Sequence, residues 1–207
     1  GSSGTVAQNW QDLQAEEGNS PLQVRHSVSG NYLYELPFGE GRAWATTGAP
    51  NHILEGFSIS GTFTFASGTW LTPTLTPTSI GVTCGTAGSL RANLIAGVPV
   101  SGGGSLRHWL NPAAFAVPSY TPGYCNAFGN APRNSIEGPG TLQNNMSLSK
   151  TAQLGETRSL EIRATIDNVF NTVQYTGVDT TVGSPTFGQV SSVGAMRSFQ
   201  FMARFRF

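Results

Sequence analysis

From Phe57 to Phe65 the chain alternates: Phe57, Ile59, Gly61, Phe63 and Phe65 take one parity, and Ser58, Ser60, Thr62 and Thr64 the other. Successive side chains of an extended strand point to opposite faces, so this run predicts an amphipathic strand. Four further stretches carry the same period. Val24, Val28, Tyr32, Tyr34 and Leu36 face away from Arg25, Ser27, Ser29, Asn31 and Glu35, with His26 and Gly30 interrupting the apolar side. Leu142, Met146 and Leu148 oppose Gln143, Asn145, Ser147 and Ser149. Leu160, Ile162, Ala164 and Ile166 alternate with Glu161, Arg163, Thr165 and Asp167. In the last nine residues Phe199, Phe201, Ala203, Phe205 and Phe207 oppose Gln200, Met202, Arg204 and Arg206. Strands are therefore expected at about 22–36, 53–67, 141–153, 158–170 and 196–207, most of them longer than the nine to eleven residues or so that cross a tilted bilayer.

The connections between these strands alternate in length. A modest turn at 37–52 follows Pro37-Phe38-Gly39-Glu40-Gly41, and a tight turn lies at 154–157. Long loops are expected at 68–140 and 171–195, where Pro and Gly accumulate and periodicity vanishes. The 68–140 segment holds Trp70, Trp109, Tyr120, Tyr124 and Phe128, an aromatic content that argues against disorder. In an up-and-down antiparallel sheet, alternate connections leave from the same end. Long loops on one side and short turns on the other are the pattern of outer-membrane barrels, with the long loops extracellular. The expected fold is all-β: an antiparallel up-and-down transmembrane β-barrel segment of about five strands, a curved open sheet if alone.

Composition sharpens this picture. The 207 residues carry zero formal net charge, 11% charged residues, 26 glycines and one lysine, Lys150. A soluble domain usually has about 25% charged residues, so this surface is unusually uncharged. Balanced charge with scattered arginines gives no nucleic-acid footprint. No apolar run is long enough for a membrane helix, which leaves spanning strands untouched. The first six residues, Gly1 to Val6, lack the basic start and apolar core of a secretory signal. That fits a removed signal or a chain beginning mid-protein, and Gly1 to Gly4 fits a cloning scar or native loop.

Several local motifs now come together. Asp167-Asn168-Val169-Phe170-Asn171 follows an alternating strand, Gly183-Ser184-Pro185-Thr186-Phe187-Gly188 lies in the second long loop, and the last strand ends on Phe. Earlier come Val24-Arg25-His26-Ser27 leading to Tyr34-Glu35-Leu36-Pro37-Phe38-Gly39, then Asn111-Pro112-Ala113-Ala114-Phe115, and Phe128-Gly129-Asn130-Ala131-Pro132-Arg133-Asn134 before Gly138-Pro139-Gly140. In this order they resemble the end of a TonB-dependent outer-membrane receptor, closest to the Oar-like group with a carboxypeptidase-regulatory-like amino-terminal domain. The resemblance covers nearly the whole chain. It implies a many-stranded, plugged barrel that imports a scarce nutrient with energy from an inner-membrane TonB complex. With about five strands and no plug, residues 1–207 are expected to be the carboxy-terminal portion of such a barrel. Its partners would be outer-membrane lipid, the rest of its own barrel and plug, the barrel-assembly machinery, and the TonB complex through the missing amino-terminal part. Phe199, Phe201, Phe205 and Phe207 resemble the assembly signal of outer-membrane proteins, a role compatible with merely facing lipid.

Cys84 and Cys125 both fall in the long loop on the expected external side; an even count in an oxidising compartment points to a disulfide, the alternative being two free thiols. Neither has the ligand spacing of a metal site. His26, His52 and His108 are scattered, and no G-x-S-x-G, H-E-x-x-H or phosphate-loop motif occurs, Gly102-Gly103-Gly104 lacking the Lys-Ser/Thr that would follow. No enzyme activity and no cofactor are expected; a barrel enzyme would need a pair such as Ser58 or Ser60 with His26, which nothing beyond adjacency supports. Trp70, Trp109, Tyr120 and Tyr124 are candidate ligand contacts, or else pack the loop or form an interfacial girdle. Arg25, Arg163, Arg204 and Arg206 are expected to face a water-filled lumen, because arginine facing lipid is costly. The rival to the transporter is a secreted β-sandwich or adhesin-like binding module, whose strands alternate in the same way.

Overall fold

The computed structural model describes residues 7–39, 43–44, 54–75, 90–121, 124 and 127–207. It divides into two compact units, one of Ser27–Ala66, Thr141–Gln174 and Ala195–Phe207, the other of Gly1–His26, Ser67–Gly140 and Tyr175–Gly194. Among the described residues, no helix is long and apolar enough to cross a membrane.

The first unit is one five-stranded antiparallel sheet: β1 (Ser27–Glu35), β2 (Phe57–Ala66), β3 (Thr141–Gln153), β4 (Ser159–Asp167) and β5 (Ser198–Arg206). Spatial order equals chain order, an up-and-down meander with β1 and β5 at its edges. The strands have 9, 10, 13, 9 and 9 residues. Most are therefore shorter than the periodicity alone predicts, and local chemistry ends them. Before β1, Val24 forms an isolated antiparallel bridge to Thr69, both residues belonging to the other unit. After β4, Asn168 turns the chain with φ +53°. Its side-chain oxygen accepts from the Thr172 amide at 2.9 Å, and its own amide donates to the Asn145 side chain at 3.0 Å. The tight turn from β3 to β4 closes with the Leu154 amide on the Arg158 carbonyl at 2.8 Å and Gly155 at φ +96°.

Register sorts the side chains, because residues directly opposite in an antiparallel pair share a face. One row reads Tyr32, Gly61, Met146, Ile166 and Phe199 across all five strands, and the next Tyr34, Ile59, Leu148, Ala164 and Phe201. The row between them, on the opposite face, reads Leu33, Ser60, Ser147, Thr165 and Gln200. The apolar face thus runs across all five strands, interrupted by Asn144 and by Lys150, whose ammonium lies 5.1 Å from the Phe57 ring centroid. Two glycines on it are covered by aromatic rings of the facing residue: Phe63 over Gly30, and Tyr32 over Gly61. The polar face carries hydroxyl ladders, Ser58 to Ser149 at 2.8 Å and Ser147 to Thr165 at 2.9 Å.

The second unit holds the buried hydrophobic cluster: Leu75, Leu90, Ala92, Leu110, Ala114, Phe115, Ala127, Ile136 and Val182. The segments expected as long loops are, over their described parts, packed chain held by very short ladders. Trp70–Leu71 pairs with Ile136–Glu137, Asn93–Leu94 with Phe115–Ala116, and Thr74–Leu75 with Thr181–Val182. The sequence motifs supply the fastenings. Asn111 caps the 3-10 turn Pro112–Ala114 by accepting from the Ala113 amide at 3.1 Å, which buries Ala114 and Phe115. Phe115 meets Phe187 edge to face at 5.2 Å. The Leu94 amide donates to the Asn130 side-chain oxygen at 2.7 Å, and the Asn130 amide to the Asn93 side-chain oxygen at 2.9 Å. Gly129 lies so close to the Arg91 and Ala92 carbonyls that a Cβ would be 2.1 Å and 2.3 Å from them.

Candidate functional site

The apolar face of the sheet is the first candidate surface. Every buried hydrophobic side chain among the described residues belongs to the second unit. In the sheet, Phe201 is 79% exposed, and Ile162, Leu142, Phe65, Phe199 and Phe205 are exposed as well. A β-sandwich would bury this face under a second sheet, whereas among the described residues the face stays exposed. Contiguous exposed apolar area of this kind marks a membrane or protein contact. Of the expected assembly residues, Phe199, Phe201 and Phe205 stand on this face of β5. Phe207 follows the strand, its ring 6.2 Å from that of Phe205 and nearly parallel to it.

The opposite face gathers the charges. Arg163 donates to Glu161 at 2.6 Å, and Arg206 lies 3.9 Å from the same carboxylate; Arg204 sits directly opposite Glu161 on β5. Toward the middle the charge gives way mostly to amides and hydroxyls around a shallow hollow of about 410 Å³, lined on this face by Asn31, Leu33, Ser60, Thr62, Asn145, Ser147 and Thr165. Arg25 departs from the expected lumenal set. It precedes β1 and belongs to the second unit, where its guanidinium lies 5.3 Å over the Trp70 ring and 3.4 Å from Glu137.

That contact opens onto a cleft of about 450 Å³ within the second unit. One wall is the Trp70–Leu71/Ile136–Glu137 ladder, whose register puts Trp70 and Glu137 on the same side. The other is a hairpin of Ser101–Ser105 and His108–Leu110. The triple glycine belongs to this hairpin: a Cβ on Gly102 would lie 2.6 Å from the His108 carbonyl, and Gly103 and Gly104 have φ of +101° and +72°. Trp109 is held from behind, its amide donating to the Gly188 carbonyl at 2.9 Å and its ring meeting Tyr175 edge-on at 6.0 Å. Trp70 and Trp109 therefore line one cleft, with Arg25, Glu137, Ser101 and Ser135. Tyr120 and Tyr124 do not; both are exposed elsewhere. The Cys84 and Cys125 pairing lies outside the described residues. Sequence reading missed Glu137 and Ser135, although Arg25 lies inside one quoted motif and Glu137 immediately before another.

Two carboxylates in this unit are held low. Burial pushes the Glu16 carboxyl up, but the Gln8 amide and the Arg91 and Arg133 guanidinium groups outweigh it and leave it below its ordinary value. Arg91 is almost wholly buried, with Nη1 2.8 Å from Glu16 and Nη2 donating to the Ala15 carbonyl at 2.6 Å. Asp179 is likewise raised by burial and lowered further by Ser184, Thr186 and the Thr181 amide. Its hydroxyl partners sit at 2.6 Å and 2.7 Å, which fixes the Gly183 to Gly188 turn, whose last carbonyl accepts from the Trp109 amide.

A meander with one polar face, one exposed apolar face and, among the described residues, two open edges has the form of part of a membrane β-barrel. The sequence model of the outer membrane beta barrel domain family matches residues 1–200, and the chain belongs to that family and to the outer membrane. No curated protein and no solved structure matches it.

Proposed function

We propose that this chain forms the carboxy-terminal part of the barrel of a TonB-dependent receptor of the Oar-like group, importing a nutrient across the outer membrane. The observation that carries the reading is the open meander. Edges β1 and β5 have unpaired outer sides among the described residues, lipid does not tolerate open edges, and closed bacterial barrels begin at eight strands or so. The sheet therefore needs further strands, and a longer barrel supplies them. The order of motifs along the chain supports a receptor of this group. In this reading the apolar face meets lipid, and the polar face meets water and a plug. The second unit is extracellular, and TonB engages an amino-terminal segment of the same receptor. The aromatic face of β5 serves as the signal to the barrel-assembly machinery. The protein is a transporter rather than an enzyme, with no cofactor and no nucleic-acid partner.

The test is an antiserum against residues 68–140 used on fractionated native cells, with unheated and boiled samples compared. An outer-membrane band far larger than the 21.8 kDa of this chain, shifting on boiling and crosslinking to TonB in energised cells, is the expected result. A heat-shifting band near 21.8 kDa would overturn the receptor reading and leave a small barrel. A secreted band without a heat shift would favour the binding module.

A further inference from the structure

We propose that the cleft between Trp70 and Trp109 binds a small neutral saccharide. Its volume of about 450 Å³ lies within the roughly 300–1,000 Å³ of ordinary small-molecule pockets. Indole rings present flat apolar surface to the C–H faces of a sugar ring while keeping a polar edge for hydrogen bonding. The rim supplies what hydroxyl groups need, since each hydroxyl both donates and accepts. Arg25 donates only, Glu137 accepts only, and Ser101 does either.

Charge selects among ligands of this size. The lining carries one Arg and one Glu, 3.4 Å apart, so it offers no net field to an anion such as a phosphate ester. A zwitterionic peptide would have to separate the pair, and Arg25 would also give up its seat over Trp70. A neutral polyol bonds the outer edges of both groups and leaves the pair intact. Trp70 Nε1 and Ser135 Oγ, on residues that line the cleft, are buried without a hydrogen-bond partner among the described residues. Buried polar groups of this kind are costly unless something satisfies them, and a ligand hydroxyl would reach these two only if the Trp70 and Ser135 side chains moved.

The inference does not rest on TonB-dependent import, because failure of import leaves a binding measurement unchanged. Protein purified in detergent from native outer membranes is titrated with maltose, lactose, N,N′-diacetylchitobiose and the zwitterion alanyl-alanine, with binding read by saturation-transfer NMR and calorimetry. At least one disaccharide is expected to bind saturably. Trp109→Ala and, separately, Glu137→Gln should each weaken it about tenfold or more, whereas Tyr124→Ala should not. Each variant is checked for the heat shift of the folded barrel, and Glu137→Gln, which preserves shape, carries the test where Trp109→Ala misfolds. Competition by lipopolysaccharide micelles would assign the sugar to a surface glycolipid and its absence to a free saccharide, either supporting the proposal. Three silent disaccharides, binding indifferent to both variants, or binding of alanyl-alanine in their place would overturn it.

Discussion

Gly61 carries no side chain because its neighbours fill the space: a Cβ there would lie 2.4 Å from the Tyr32 hydroxyl and 2.5 Å from the Asn145 carbonyl. The carbonyl belongs to the β-ladder and cannot swing aside as a flexible side chain would. Gly61→Ala should therefore lower stability by about 1–3 kcal/mol, read as a fall in the urea midpoint of the folded barrel; an unchanged midpoint would mean that Tyr32 and the ladder both relax freely. Glu16 governs a pH effect in the other unit. Its folded carboxyl is held below the ordinary 4.5, so its contribution is present above that value and is lost as the pH falls through the lowered one. Unfolding midpoints of the native chain and Glu16→Gln should differ at neutral pH and converge on acidification. A gap independent of pH would assign the effect of the substitution to packing instead.

At the scale of the strand, the alternation read along one chain becomes a property of two faces only when five registers agree. They do, and the consequence is measurable with a single residue type. Ile162→Arg places a guanidinium on the apolar face of β4 and should cost about 2–4 kcal/mol if near the bilayer midplane, seen as loss of the heat-shifting band. Gln200→Arg, on the polar face of neighbouring β5, should keep that band. Equal damage from both would contradict the facial assignment. The strand interiors were legible because side-chain direction alternates by local geometry alone. Their ends were less so, since Val24 continues the parity of β1 yet pairs with Thr69. That choice depends on a partner distant in sequence.

For the molecule as a whole, the hydrophobic core and the longest strands lie in different units. A soluble fold would bury the sheet's apolar face in a core; here that face is exposed, and in the proposed barrel it meets lipid. Between the described parts of the second unit lie Cys84 and Cys125. A bridge there would close a loop of about 40 residues and contribute about 3–4 kcal/mol in the chain-entropy model. Neither thiol should label with iodoacetamide until the protein is reduced, and labelling beforehand would establish free thiols. The sequence alone determined the all-β class, the two-faced strands and the alternation of long and short connections, because each follows from spacings along one segment. It also marked Trp70 and Trp109 by type, without joining them. Only the tertiary structure decided that two-residue ladders fold the described parts of the long connections around a core, that Arg25 leaves the lumenal set for Glu137, and that both tryptophans line one cleft. Those outcomes depend on hydrogen bonds and packing between residues far apart in the chain, for which one-dimensional spacing has no signal.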